Sequence, residues 1–331
     1  MESSSKHLHA ARAGSTRAPL RERITEAFAG DGSGVDALGT AEPADRRDGV
    51  LSLLLVNDLH TAPLERLGGA ERFQHHPAVS SLKRRLDDAF LADLAARDEA
   101  VDWNLPEGPG AAMRALGVLG LVPDVYRWLA DAATPSEAVA FLAFEGGPDG
   151  GFDDLVAACQ IGLSGSAKVE LAQNYWDEMG NGEADLVHTE LHHKLALALG
   201  LPVLSPEDQP LEALERAALA SVLATNRRLQ PEMVGALGLL ELQAGPRCRK
   251  VVAALRRIGA SDDALHFYVE HATVDPRHGK DWVDKAVVPL GVDPRWADGM
   301  IRGARWRSLV NAAFFDAMAR RFVPVASPMA S

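Results

Sequence analysis

Cysteine, tyrosine and long apolar runs are all scarce in this 331-residue chain, and each scarcity removes a class of explanation. The two cysteines, Cys159 and Cys248, fall in helical-looking segments and offer neither a disulfide framework nor a thiolate metal cluster. A reducing, cytoplasmic setting is the expectation. Apolar stretches such as residues 51–56 are far too short to span a bilayer. Residues 1–30 mix Ser, Arg, Gly and Ala without the continuous apolar core of a secretory signal, so no membrane partner is expected. Positive charge is also in deficit, with 34 Lys and Arg against 46 Asp and Glu and a net charge of −12. That balance weighs against a sequence-independent grip on nucleic acid and points to a small-molecule partner.

What the chain has in quantity is Ala and Leu, placed at three-to-four spacing over long stretches, the signature of amphipathic helices. The expected fold class is all-α, with little or no sheet. Residues 1–48 are polar, with a Gly-rich piece around 30–34, and read as a poorly ordered tail with one short helix at most. Residues 49–79 form an N-terminal arm of unassigned structure. A helical domain follows over 80–322, and 323–331 is a C-terminal tail. Within the domain, helices are predicted over 80–97, 111–133, 135–144, 152–163, 167–179, 184–199, 207–229, 231–258, 262–271 with a continuation past Pro276 to 288, and 294–321. Thr134 is a suitable cap for Pro135 in a first turn, and breaks are expected at Gly146–Pro148 and near Gly245 and Pro246. No self-similar period of 20 to 50 residues is present.

Two stretches carry chemistry. In residues 170–201, Glu178 and His188 are ten positions apart, which on one uninterrupted helix would separate them by about 15 Å. Gly180, Asn181 and Gly182 lie between them, and these residue types tolerate left-handed backbone angles that end one helix and turn into the next. Such a turn brings both side chains within reach of one site. In residues 271–282, His271, Asp275 and His278 stand at i, i+4 and i+7, one face of a helix, although Pro276 interrupts the regular hydrogen bonding there. Two more acids, Glu145 and Glu241, sit in otherwise apolar helical surroundings, where a carboxylate is costly unless paired or metal-bound. Four carboxylates and three neutral imidazoles would balance two divalent ions. Oxygen and nitrogen donors without thiolate suit non-haem iron or manganese in a helix bundle, though the Glu-x-x-His pairs of ferritin-like bundles are absent in that form.

These fragments together resemble the haem-oxygenase-like di-iron oxidases and oxygenases, a family of iron-containing redox enzymes. The resemblance rests on FLAFE ending at Glu145, NYWDEMGNG with Glu178, DLVH ending at His188, LLELQ with Glu241, and the His271–Asp275–His278–Trp282 spacing. It covers residues 140–290 and extends into the flanking helices over 80–320. What it implies is a haem-oxygenase-like multi-helix bundle with a di-iron site in its core. The metal ligands it implies are Glu145, Glu178, His188, Glu241, His271, Asp275 and His278, with two Fe ions cycling between Fe2+ and Fe3+ and O2 as co-substrate. The implied reaction is N-oxygenation of the amine of an amino-acid-like small molecule in specialised biosynthesis. Oxidative desaturation or C–C fragmentation of a fatty or amino acid is the alternative, and a non-catalytic iron-binding protein is the alternative from another class. A haem-degrading enzyme would need a proximal histidine and no acid cluster. An external electron donor and a homodimer are further expected partners. His192 and His193 read as polar helix surface, and Glu170, Glu190 and Glu270 as exposed or salt-bridged. Tyr175, Trp176 and Trp282 read as packing, and Arg302, Arg305, Arg307, Arg320 and Arg321 as candidates to hold a substrate carboxylate.

Overall fold

The structure, a computed structural model, describes residues 18–146 and 151–324. Helix follows helix, with no strand among the described residues. In chain order these are α1 (Leu20–Ala29), α2 (Arg46–Thr61), α3 (Leu64–Leu67), α4 (Pro77–Glu99), α5 (Pro109–Val118), α6 (Asp124–Asp131), α7 (Pro135–Glu145) and α8 (Phe152–Cys159). They continue as α9 (Gly165–Glu178), α10 (His188–Leu199), α11 (Leu211–Thr225), α12 (Gln230–Arg257), α13 (Asp262–Trp282), α14 (Val288–Leu290) and α15 (Pro294–Phe322). Among the described residues no helix is long and apolar enough to cross a membrane.

Helix α12 is the axis of the bundle, packing most extensively on α13 and α15 and also on α5, α6 and α11. Glycines let its neighbours approach. A Cβ on Gly279 of α13 would lie 2.8 Å from the Leu242 backbone, and one on Gly303 of α15 would lie 1.9 Å from the Glu232 carbonyl oxygen. The first half of α12, through Leu239, belongs to one apolar cluster shared with α2, α4 and α11. Its second half, from Cys248, belongs to another shared with α6, α7 and the end of α15. Glu241 lies between the two.

Several boundaries differ from those predicted, each for a local reason. The helix expected over 111–133 is two, because Gly120 adopts φ +58° and Pro123 starts a new turn at α6. Thr134 does cap α7: its hydroxyl accepts from the Glu137 amide, and the Glu137 carboxylate accepts from the Thr134 amide at 2.8 Å, a reciprocal capping box. Helices α12 and α13 run unbroken through Pro246 and Pro276. The Ala272 carbonyl, which Pro276 leaves without its helical donor, accepts instead from Arg249 Nη1 at 3.3 Å. Much of the break expected at Gly146–Pro148 lies outside the described residues.

The largest departure is at the N-terminal side. Residues 20–48, expected to be tail, include α1, a 3-10 turn at Asp36–Thr40 and the start of α2, with Leu20, Ile24 and Leu38 in the core. The buried Asp48 carboxylate accepts from the amides of Leu20 at 2.8 Å, Arg21 at 3.0 Å and Ala44 at 2.8 Å, tying α1 to α2. The unassigned 49–79 arm is helix too: α2 packs on α11. Of the two tails, residues 1–17 and 325–331 lie outside the described residues.

Candidate metal centre

Glu178 is the last residue of α9 and His188 the first of α10. Between them Gly180, Asn181 and Gly182 take φ values of +59°, +55° and +90°, the left-handed turn their residue types permit. The fit at Gly180 is tight, since a Cβ there would stand 2.5 Å from the Leu186 carbonyl carbon. The reversal sets Glu178 Oε2 2.6 Å from His188 Nδ1. From α13, His271 completes this first group, its ring centroid 4.5 Å from that of His188. His271 Nδ1 lies 2.7 Å from the Phe267 carbonyl oxygen, so it carries the proton and Nε2 keeps its lone pair.

The second group is Glu241 of α12 with Asp275 and His278 of α13. His278 Nδ1 is 3.7 Å from Glu241 Oε2 and 4.0 Å from Asp275 Oδ1. In each group one potential ligand atom per residue lies within 4.8 Å of the others. Six of the predicted ligands are therefore brought together, three and three.

Glu145 is not among them. At the end of α7 its Oε1 accepts from the Tyr126 hydroxyl at 2.8 Å and its Oε2 from the Tyr268 hydroxyl at 3.3 Å. Two phenol donors satisfy this carboxylate, and it stands outside both groups. A different acid lies near the first group: Asp153, in the first turn of α8, which helps raise the Glu178 carboxyl and feels the charge of His188. Sequence reading passed over Asp153 because an acid in a helix's first turn is ordinary.

Electrostatics distinguishes these groups from the rest of the core. Burial pushes the Glu178 carboxyl up to about 7. Burial, then the neighbouring Glu178 charge, pushes Glu241 up to about 7. Asp275 is raised by burial and by the charges of Glu241 and Glu178. Burial drives His271 down to about 4 and lowers His188, so these two imidazoles are held neutral. Other buried acids have conventional partners. Asp87 pairs with Lys83, Asp98 with Arg305, Glu170 with Lys285, Glu215 with Arg46 and Arg97, Glu232 with Arg302, and Asp48 with backbone amides. Among the described residues Glu178, Glu241 and Asp275 face no Lys or Arg, and the atoms Glu241 Oε2, Asp275 Oδ2 and His278 Nδ1 have no hydrogen-bond partner. Acids buried without a cation and converging on neutral imidazoles fit divalent metal, and the all-oxygen-and-nitrogen donor set fits iron.

The chain matches the family of iron-containing redox enzymes over residues 141–312, a span that holds all six converging residues. It belongs to that family. The described helices accordingly form a haem-oxygenase-like bundle. No curated protein matches the chain.

The remaining candidates divide cleanly in this iron-containing redox enzyme. His192 packs on Phe267 with ring centroids 5.2 Å apart and belongs to neither group, and Glu170 is salt-bridged. Trp282 is fully buried and donates to the Val234 carbonyl, a packing role, whereas Trp176 is half exposed. Arg302 and Arg305 are held by Glu232 and Asp98, and Arg321 lies over Phe144. Arg307 is buried, donates to the Arg216 carbonyl at 3.3 Å and borders a small apolar cavity with Phe152, Leu155, Leu237 and Leu240.

Proposed function

We propose that the chain is a di-iron, O2-dependent oxidase or oxygenase of a small molecule, with N-oxygenation of the amine of an amino-acid-like substrate as its reaction. The observation that carries the di-iron reading is the pair of three-residue groups whose buried carboxylates face no cation among the described residues. Glu178, His188 and His271 would hold one ion, and Glu241, Asp275 and His278 the other. With Asp153 added to the first group, four carboxylates balance two divalent charges and the imidazoles stay neutral.

Two ferrous ions held by these residues would supply electrons and open positions for activating dioxygen. The protein's part is to keep the site dry and its donors aimed. The Phe267 carbonyl holds the His271 proton on Nδ1, and burial keeps both imidazoles in the neutral, ligating form. For an amine the reaction balances as R–NH2 + O2 + 2 e− + 2 H+ giving R–NHOH + H2O, so an external two-electron donor is required. Oxidative desaturation or C–C fragmentation of a fatty or amino acid is the second reading, since the same pair of ions would serve either reaction.

Anaerobic ferrous titration with Mössbauer spectroscopy before and after oxygen tests the metal reading, with His278→Ala alongside. Two irons per chain oxidised as a coupled pair, and one lost in the variant, are expected. One iron or none, unchanged by the variant, refutes it. Oxygen uptake by the ferrous protein with amines or aliphatic acids, and the identity of the product, separates the two reactions. Uptake that no substrate accelerates would leave an iron-binding protein without turnover.

A further inference from the structure

One turn of α9 touches both metal-ligand groups. Asn174, Asp177 and Glu178 stand at i, i+3 and i+4 and so leave the helix on one face. Glu178 belongs to the first group, while its two companions reach across to the second. Asn174 Nδ2 donates to Glu241 Oε1 at 3.0 Å in the buried interior. Asp177 Oδ2 accepts from His278 Nε2 at 2.8 Å, and its Oδ1 accepts from Gln173 Nε2 at 3.3 Å. Each contact occupies one atom of a ligand residue and leaves the other: Oε2 on Glu241 and Nδ1 on His278. Those two atoms face each other at 3.7 Å without a hydrogen-bond partner among the described residues.

We propose that Asn174 and Asp177 are positioning residues for the second metal position, fixing which atoms of Glu241 and His278 face the ion. The inference rests on the di-iron reading. A neutral imidazole carries its proton on either nitrogen, and the hydrogen bond made by one nitrogen decides which lone pair is offered to a metal. With its Nε2 proton held by Asp177, His278 presents Nδ1. An ionised Glu241 only accepts, so the Asn174 amide must turn its nitrogen toward it, and the carboxylate is held with Oε2 inward. Both oxygens of Asp177 are engaged, so it acts through His278. The second position thereby depends on the same helix end that delivers Glu178 to the first.

The test uses the full chain with Fe2+ or Co2+ under anaerobic conditions. Wild-type protein that fails to bind two metals overturns the di-iron reading itself, independently of Asp177. Given two metals, Asp177→Ala should bind the first with wild-type affinity and the second about 10- to 100-fold more weakly. Asp177→Asn keeps an oxygen that accepts from Nε2–H and should recover most of the loss. Asn174→Ala should show a smaller loss, again confined to the second metal. Asp177→Ser, too short to reach His278, must reproduce the defect and stands in if the alanine variant folds poorly. A readout independent of activity is the His278 Nε2–H resonance in Zn2+-loaded, 15N-histidine-labelled protein. It should be protected from exchange in wild type and Asp177→Asn, and lost in Asp177→Ala. Wild-type affinity for both metals in Asp177→Ala, equal weakening of both, or an unchanged Nε2–H signal would overturn the proposal.

Discussion

Gly279→Ala should strip one metal from the protein while leaving it folded. The added Cβ would lie 2.8 Å from the Cα and N of Leu242 and 2.9 Å from the Glu241 carbonyl carbon, all atoms of helix backbone that cannot turn aside. Carbon atoms in contact sit about 3.5 Å apart, so α12 and α13 must separate locally by about 0.6 Å or more. The contact adjoins both Glu241 and His278. Their facing atoms are now 3.7 Å apart. Two donors each about 2.1 Å from one ion can stand at most about 4.2 Å apart, so the displacement carries the pair past the limit unless a side chain rotates. Overpacking of this kind costs about 1–3 kcal/mol, a drop of a few degrees in Tm. Gly245→Ala is the matched control, because it lies on the same helix pair but its Cβ meets the Pro276 ring at 3.0 Å and the His271 carbonyl oxygen only at an ordinary contact distance of 3.6 Å. Thermal melts of the metal-free proteins and equilibrium dialysis against ferrous iron measure both effects. The expected result is comparable destabilisation in the two variants, with the second iron lost in Gly279→Ala alone. Two irons held at wild-type affinity in Gly279→Ala, or equal metal loss in Gly245→Ala, would refute the reasoning.

Four further outcomes are expected. Glu145→Gln should keep two irons per chain and lower Tm by a few degrees, since its partners are phenols, whereas Asp153→Asn should weaken iron at the first group; atomic absorption after desalting decides between them. Metal uptake should release more protons at pH 6 than at pH 8, because Glu178 and Glu241 titrate near 7 in the metal-free protein and ions must displace their protons below that value. The same raised carboxyls favour the metal-free fold on the acid side: it binds more protons than the unfolded chain between about 4.5 and 7, so their contribution to stability falls as pH rises through that window, while the depressed His271 acts in the opposite sense between about 4 and 6.5. Pulse proteolysis of the apoprotein at pH 5 and 8 reads the balance, and in the two groups three raised carboxyls, Glu178, Glu241 and Asp275, against two lowered imidazoles, His271 and His188, predict that pH 5 is favoured. Gly180→Ala, which meets the Leu186 backbone at 2.5 Å from a left-handed position, should abolish the first group's metal and cost several degrees of Tm; unchanged iron content would show that the turn does not set the Glu178 to His188 distance.

Helices were legible wherever apolar spacing ran unbroken, and the Gly180 turn was legible because few residue types tolerate three consecutive left-handed positions. Pro276 was harder to read. Its effect depends on whether another group takes over the carbonyl it frees, and Arg249 is distant in sequence from Ala272. Residues 20–48 look too polar for a core, yet a few apolar side chains and one buried carboxylate, Asp48, fasten them to α2. Glu145 shows the limit most plainly. An acid in an apolar helix must find a partner, but sequence does not say whether that partner is a metal or the hydroxyls of two of the chain's three tyrosines. Asn174 and Asp177 escaped notice for a related reason, since their importance lies in what they hold across the bundle.

The second group takes every donor from α12 and α13, consecutive helices joined by a short link, whereas the first needs α9, α10 and α13 to have met. A helical hairpin closes a small loop and forms early, while contacts distant along the chain wait for the rest of the bundle. During synthesis, therefore, the second position cannot take shape until the later part of the chain has emerged, and α9 is already waiting when it does. The metal centre is then assembled from its far end backward, the α12–α13 hairpin forming the second group before α9 and α10 dock on α13 to complete the first.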